Sequence, residues 1–161
     1  KYPAIHPLDS WSKYKSVIRS DWVEYGRSCL RSGTDVEWMM KVVGEEGTSL
    51  EDYIVYLKGN FLDSVYLQQN SFDDVDAAAD VERQTYVYKK ILKVLGSNFE
   101  LNTKDEARSY FNQLRQSFID WNYSVWMSDA FKKIESDIDS LYSEKSGKLE
   151  TTASLLLKED N

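Results

Sequence analysis

The sequence is poor in the residues that build metal and nucleophilic centres. It holds one histidine and one cysteine in 161 residues, too few for a zinc site. A single thiol cannot close an internal disulfide, which fits a reducing compartment. Cys29 falls on the apolar stripe of a helical pattern, so it reads as core and not as a nucleophile. His6 sits in a proline-flanked stretch and is more readily a connector residue than a catalyst. No phosphate loop is present. Gly147-Lys148 lacks both the upstream glycine and the following hydroxyl of GxxxxGK[ST], and there is no GxGxxG. Positive charge is also in deficit: the net charge of −7 leaves nothing to release counterions from a nucleic acid. No apolar run approaches the ~18–20 residues of a membrane span, and no signal-peptide pattern opens the chain. Neither an alternation of period two nor an internal repeat is visible. The fold class expected is therefore all-α.

Aromatic residues are abundant instead. Five Trp, eleven Tyr and six Phe imply large buried faces, or faces meant for a partner. KYPAIHPLDS, with Pro3 and Pro7, reads as an extended connector over residues 1–10, anchored by Tyr2, Ile5 and Leu8. Trp11, Tyr14, Ile18, Trp22, Tyr25 and Cys29 then recur at spacings of three and four, the period of one helix face. Ser32-Gly33 is expected to end that helix. Thr34 with Glu37 would cap a short second one, whose apolar face is Val36, Met39, Met40 and Val43. Gly44 to Asp52 is a polar turn with four carboxylates. Thr48 with Glu51, or Ser49 with Asp52, can cap the helix after it, striped by Leu50, Ile54, Leu57, Phe61 and Val65. Asp80 is the expected N-cap of a helix ended by Gly96, Thr103 with Glu106 forms a capping box, and Ser128 starts a further helix. The sum is an irregular bundle of about six helices in a single domain, 1–161, whose tail, 145–161, is polar and free to be flexible, a short helix at best. The chain opens at Lys1 within a patterned segment and is expected to be a fragment of a longer polypeptide.

Two stretches carry candidate function. FLDSVYLQQNSFDDVD ends a helix and sets Gln68, Gln69 and Asn70 between Tyr66 and Phe72. Rings beside amides can hold a flat heterocycle by stacking and edge hydrogen bonds, although two core aromatics at a helix end is the commoner arrangement. Asp73, Asp74, Asp76 and Asp80 lack the spacing of a calcium loop and read as a solvated face. The acidic turn containing Glu45, Glu46, Glu51 and Asp52 is first a solvated cap and second a charged docking surface.

Two motifs in order resemble a known family. KYPAIHPLDSWSKYK is similar to the segment that follows the nucleotide-binding core in catalytic subunits of rotary ATPases. FLDSVYLQQNSFDDVD resembles the FLQQNAF-x-x-VD pattern of the V/A-type catalytic A subunit. The F-type beta subunit carries a proline-containing segment there instead. The resemblance spans Lys1 to Leu95; the helices after Asn98 are read on pattern alone. It implies the C-terminal helical domain of that A subunit, with the phosphate loop, magnesium ligands and catalytic glutamate upstream, so that no catalytic residue or metal ligand belongs to this fragment. The implied activity is ATP hydrolysis or synthesis coupled to proton or sodium transport by rotation, with ATP/ADP and Mg2+ bound in the whole subunit. The implied partners are B subunits in an alternating A/B hexamer and the central-stalk rotor, in a cytoplasmic head peripheral to the membrane, without nucleic acid or membrane insertion. Carried over by residue, Phe72 would face the adenine, with Gln69, Asn70, Ser71 and Tyr66 beside it. Tyr66 and Ser71 depart from the family's Phe and Ala, and the Tyr66 hydroxyl needs a partner. Glu45, Glu46, Glu51 and Asp52 would form the tip that meets the rotor. The isolated fragment is expected to be inactive and to bind nucleotide weakly or not at all. The alternative is a non-enzymatic helical adaptor that binds a protein through its Trp/Tyr faces; a phosphate loop upstream of Lys1 separates the two.

Overall fold

The computed structural model describes residues 19–67 and 77–158. The proline-containing connector, Trp11, Tyr14 and Ile18, and residues 68–76 lie outside the described residues.

Helix α1 runs over Ser20–Val43 without interruption. The expected stop at Ser32-Gly33 does not occur, and Thr34 caps nothing. Gly33 is buried where α1 crosses α2, Leu50–Leu62. A Cβ on Gly33 would lie 3.2 Å from the Cα of Gly59, and one on Gly59 would lie 3.3 Å from the Cα of Gly33. The glycine is there for close backbone approach and not as a C-cap. Gly44, with φ of 80°, is the residue that ends α1. Ser49 then caps α2, its Oγ accepting from the N–H of Asp52 at 3.1 Å. The last turn of α2 widens into a π-helical turn, Asp63–Leu67.

Helix α3 spans Ala77–Gly96. Asp80 is thus inside the helix and is not its N-cap; three consecutive alanines, Ala77 to Ala79, extend the start with the residue of highest helix propensity. Helix α4, Lys104–Tyr123, opens on Thr103, whose Oγ1 accepts from the N–H of Glu106 at 3.0 Å. The return bond of this box goes one residue further back, from the N–H of Asn102 to Glu106 at 2.6 Å. Helix α5, Asp129–Lys145, is capped by Ser128, which accepts from Phe131 N–H at 3.1 Å.

Two short strands, β1 (Ser97–Phe99) and β2 (Ser146–Leu149), pair antiparallel. Ser97 lies opposite Leu149 and Phe99 opposite Ser146. A three-residue and a four-residue strand are too short to show an alternation in sequence. Beyond them the tail folds as α6, Thr151–Lys158, and buries Ala153 and Leu157. Gly96 at the end of α3 meets this helix: a Cβ there would stand 2.2 Å from the Cβ of Ala153. The described residues thus hold six helices and one two-stranded sheet. The total agrees with expectation because two expected helices fuse into α1 while the tail adds α6.

The core is aromatic at its centre. Phe61 of α2 meets the edge of Phe118 of α4 at 5.0 Å, and Trp121 lies 4.9 Å from Phe131 of α5. Each such pair contributes about 0.5–1.5 kcal/mol beyond its area burial. Most of the Trp/Tyr surface that an adaptor would offer to a partner is therefore spent on packing. Trp22, Trp121, Tyr53, Tyr66 and Tyr88 are all buried.

Candidate functional site

The molecule has two distinct ends, joined by α2 and α4, which run in the same direction. At one end is the α1–α2 turn. Helix α4 begins beside it, because Arg108 pairs with Glu45 and the Lys104 ammonium donates to the Glu45 carbonyl. At the other end α4 finishes beside the π turn, where the Asn122 amide donates to the Val65 carbonyl at 2.9 Å. The 13 residues of α2 and five of the π turn separate the ends by on the order of 25 Å, at about 1.5 Å per helical residue.

The turn is built by local hydrogen bonds. Gly47 N–H donates to Gly44 O at 3.2 Å, Thr48 N–H to Glu45 O at 3.1 Å, and the buried Thr48 hydroxyl to Gly44 O at 3.0 Å. The four sequence-chosen acids differ in situation. Glu45 is tied to α4 by the Arg108 guanidinium, which also donates to the Tyr53 hydroxyl at 2.9 Å and to Asp105 at 2.8 Å. These partners, Tyr53 first, raise the Arg108 pKa further above its ordinary value. Asp52 sits at the cap of α2 and is half-exposed, whereas Glu46 and Glu51 point to solvent. Acidic residues in the first turn of α2 complement its positive end.

Sequence reasoning missed the apolar half of this end. Met39 and Val43, expected to face the core, are exposed. With them stand Trp38, 63% exposed, and Val42, 85% exposed. Lys41 lies over the Trp38 ring at 4.5 Å. Val36 and Met40 alone of the expected face turn inward. The sequence signal concerns Trp38 and Val42, which, four residues apart, fall on the side of the helix away from Val36 and Met40.

At the opposite end Tyr66 is 2% exposed. Its hydroxyl donates to the Gln84 side chain at 3.2 Å, and its ring meets Tyr88 edge-on at 5.1 Å. The partner that the tyrosine required is thus supplied by α3. Gln69, Asn70, Ser71 and Phe72, which follow the π turn in sequence, lie outside the described residues.

A cleft of about 590 Å³ between α1, α2 and the sheet is lined by Tyr25, Cys29, Lys58, Asn98, Phe99 and Glu150 among others. Its reactive groups are quiet. Burial pushes the Cys29 thiol up to about 11, so it is not a thiolate near neutrality. Burial also lowers the Lys58 pKa, and its ammonium donates to the Ser97 carbonyl at 2.7 Å. Among the described residues no group of three or more His, Cys, Asp or Glu side chains is arranged to hold a metal ion. Among the same residues no helix is long and apolar enough to cross a membrane.

The family described as the C-terminal domain of V and A type ATP synthase matches residues 12–98. The V-type ATP synthase alpha chain of Treponema denticola is 61% identical over 159 residues, which is 99% of this chain and 27% of that protein. Alpha chain 1 of the V-type ATP synthase of Treponema pallidum is 54% identical over 158 residues, 98% of this chain and 27% of that protein. The corresponding alpha chain of Borrelia duttonii is 49% identical over 145 residues, 90% and 25% respectively. The chain thus spans about a quarter of the length of the curated relatives it matches. No solved structure matches it. On the family match over residues 12–98, together with these relatives, the chain belongs to the family of C-terminal domains of V- and A-type ATP synthases.

Proposed function

We propose that this chain is the C-terminal domain of the catalytic subunit of a rotary V/A-type ATPase, and that it does two things there. It completes the adenine pocket with Phe72, flanked by Gln69, Asn70 and Ser71. It also carries the closure of that pocket to the central rotor through the α1–α2 turn. ATP or ADP with Mg2+ is held in the whole subunit, within an alternating hexamer with B subunits in a head peripheral to the membrane. The rest of the subunit supplies the phosphate and metal chemistry; this chain supplies positioning and leverage.

The observation that carries the reading is the two-ended build. One end is the exposed turn, with Trp38, Val42, Glu46 and Glu51 at its surface. The other is the π turn that leads into the Gln69–Phe72 segment. A packed helix pair between them moves as one body, because close-packed interiors transmit displacement and do not absorb it. The Gly33–Gly59 crossing brings α1 close against α2, so that α1 and its turn would move with α2. Tyr66 contributes as packing behind the pocket wall, since its ring and hydroxyl are already engaged by Tyr88 and Gln84.

The test separates the two roles in the assembled enzyme. Neutralising Glu45, Glu46, Glu51 and Asp52 to their amides is expected to change torque or coupling while nucleotide affinity stays nearly constant. Phe72→Ala is expected to weaken nucleotide binding by about 1 kcal/mol, roughly fivefold in Kd, the scale of one aromatic contact. A large loss of affinity in the turn variant, or unchanged affinity in Phe72→Ala, refutes the corresponding role.

A further inference from the structure

The loop between α4 and α5 presents a second apolar surface, at the end opposite the α1–α2 turn. Tyr123 is 75% exposed, Val125 is 74% exposed, and Met127 is exposed beside them. The family match stops at residue 98, so it assigns this loop nothing. Isolated exposed apolar residues are ordinary, but three within the five residues that run from the last residue of α4 into the loop are not.

The loop is held in place. Trp126 turns inward between these side chains, 5.1 Å from Phe131 and 5.6 Å from Tyr86. The Ser124 hydroxyl donates to the Trp121 carbonyl at 2.6 Å, and the Ser128 hydroxyl to the Val125 carbonyl at 2.7 Å. Arg83 of α3 donates to the carbonyls of Trp121 and Asn122, and Asn122 reaches back to Val65 of the π turn. Met127 adopts φ of 60°, a left-handed conformation that a non-glycine residue rarely takes, and the surrounding bonds keep it there. A loop made rigid while showing apolar side chains to solvent has already met the ordering cost of an interface.

We propose that Tyr123, Val125 and Met127 form a docking surface for the upstream, nucleotide-binding part of the same polypeptide. The occupant follows from position and length. The loop lies at the end from which the Gln69–Phe72 segment departs, bonded through Asn122 to the π turn. The relatives are about four times as long as this chain, so most of such a subunit lies outside it. Docking there would fix the pocket wall to the body it closes on. The inference rests on the proposed reading of this chain as one domain of a longer subunit.

The experiment is hydroxyl-radical footprinting of the full-length subunit, alone and without nucleotide, with rates normalised to intrinsic side-chain reactivity. Trp38, at 63% exposure, is the internal reference, and by this chain alone Tyr123 should react at least as readily. Exclusion of water from an interface predicts instead that Tyr123 and Met127 label at least about fivefold more slowly than Trp38. In the double variant Tyr123→Ser, Val125→Ser, Met127 labelling should rise towards the Trp38 rate. Equal labelling of Tyr123 and Trp38 in the subunit alone overturns the proposal. So does protection that appears only when other subunits are added, which would assign the surface to a neighbour, and so does Met127 protection that survives the double variant. No nucleotide is present, so these outcomes are independent of the turn and Phe72 variants, whose failure would count against the proposed function instead.

Discussion

The contact between Gly96 and Ala153 yields a sharp stability prediction. A Cβ built on Gly96 stands 2.2 Å from the Ala153 Cβ, where two carbons ordinarily rest about 3.5–4.0 Å apart. Neither alanine has a rotamer to change, so relief requires α6 to move away from α3. That movement would strain the bond from the Trp22 indole N–H to the Leu156 carbonyl, 3.3 Å, and expose Leu157. Overpacking of this kind costs about 1–3 kcal/mol. Gly→Ala in a helix contributes up to about 1 kcal/mol in the other direction, and less at the last residue of a helix. Gly96→Ala is therefore expected to destabilise the chain by about 1–2 kcal/mol. For a chain of this size that corresponds to a Tm lower by roughly 2–8 °C. Thermal and urea unfolding followed by circular dichroism measure it, and hydrogen exchange should localise the loosening to α6. Ala153→Gly removes the opposing methyl, so the double variant should be more stable than the sum of the two single effects by about 1–2 kcal/mol. Additive behaviour, or a Tm for Gly96→Ala equal to or above that of the parent, would show that the packing of α6 against α3 is not as described.

Four further outcomes follow from other contacts. Gly33→Ala places a Cβ 3.2 Å from the Gly59 backbone, so the clash should outweigh the helix-propensity gain and lower stability by about 1 kcal/mol; unfolding midpoints check it, and a stabilised variant contradicts the crossing. Tyr66→Phe removes a buried hydroxyl bonded to Gln84 and should cost about 1 kcal/mol of stability, while in the full subunit the nucleotide Kd stays constant; a weakened Kd would move Tyr66 into the pocket. The Asn102 N–H, then Lys145, hold the Glu106 carboxyl below its ordinary value of 4.5, so its contribution to stability is present above that pH and is lost as pH falls through the depressed folded value; Glu106→Gln should flatten the acid limb of stability against pH, and an unchanged limb argues against the cap. The Cys29 thiol, pushed up to about 11 by burial, should alkylate slowly at pH 8 and accelerate as pH climbs towards that value, whereas a plateau near pH 9 in the folded chain would mean the thiol is open to solvent.

What the sequence determined by itself was local and short-range. The caps Ser49, Thr103 and Ser128 accept from N–H groups three residues on, so residue type and spacing located Thr103 and Ser128 and narrowed the cap of α2 to Thr48 or Ser49. The stripe of α2 follows the helical period, with Leu57, Phe61 and Val65 buried and Leu50 and Ile54 partly so, and the family was legible in two motifs. Tertiary structure decided whatever depended on a distant partner. Gly33 read as a stop and proved to be a contact, because its meaning depends on Gly59 in another helix. The strands were invisible, since each is stabilised by a partner about fifty residues away and neither is long enough to alternate. Met39 and Val43 read as core because apolarity alone does not say whether a face meets protein or solvent. Tyr66 read first as a core aromatic and second as a pocket wall, and it is Tyr88 and Gln84, both on a distant helix, that close around it. The difference has one physical cause: hydrogen-bond reach along a helix is set by spacing, whereas burial is set by which surfaces the whole chain brings together.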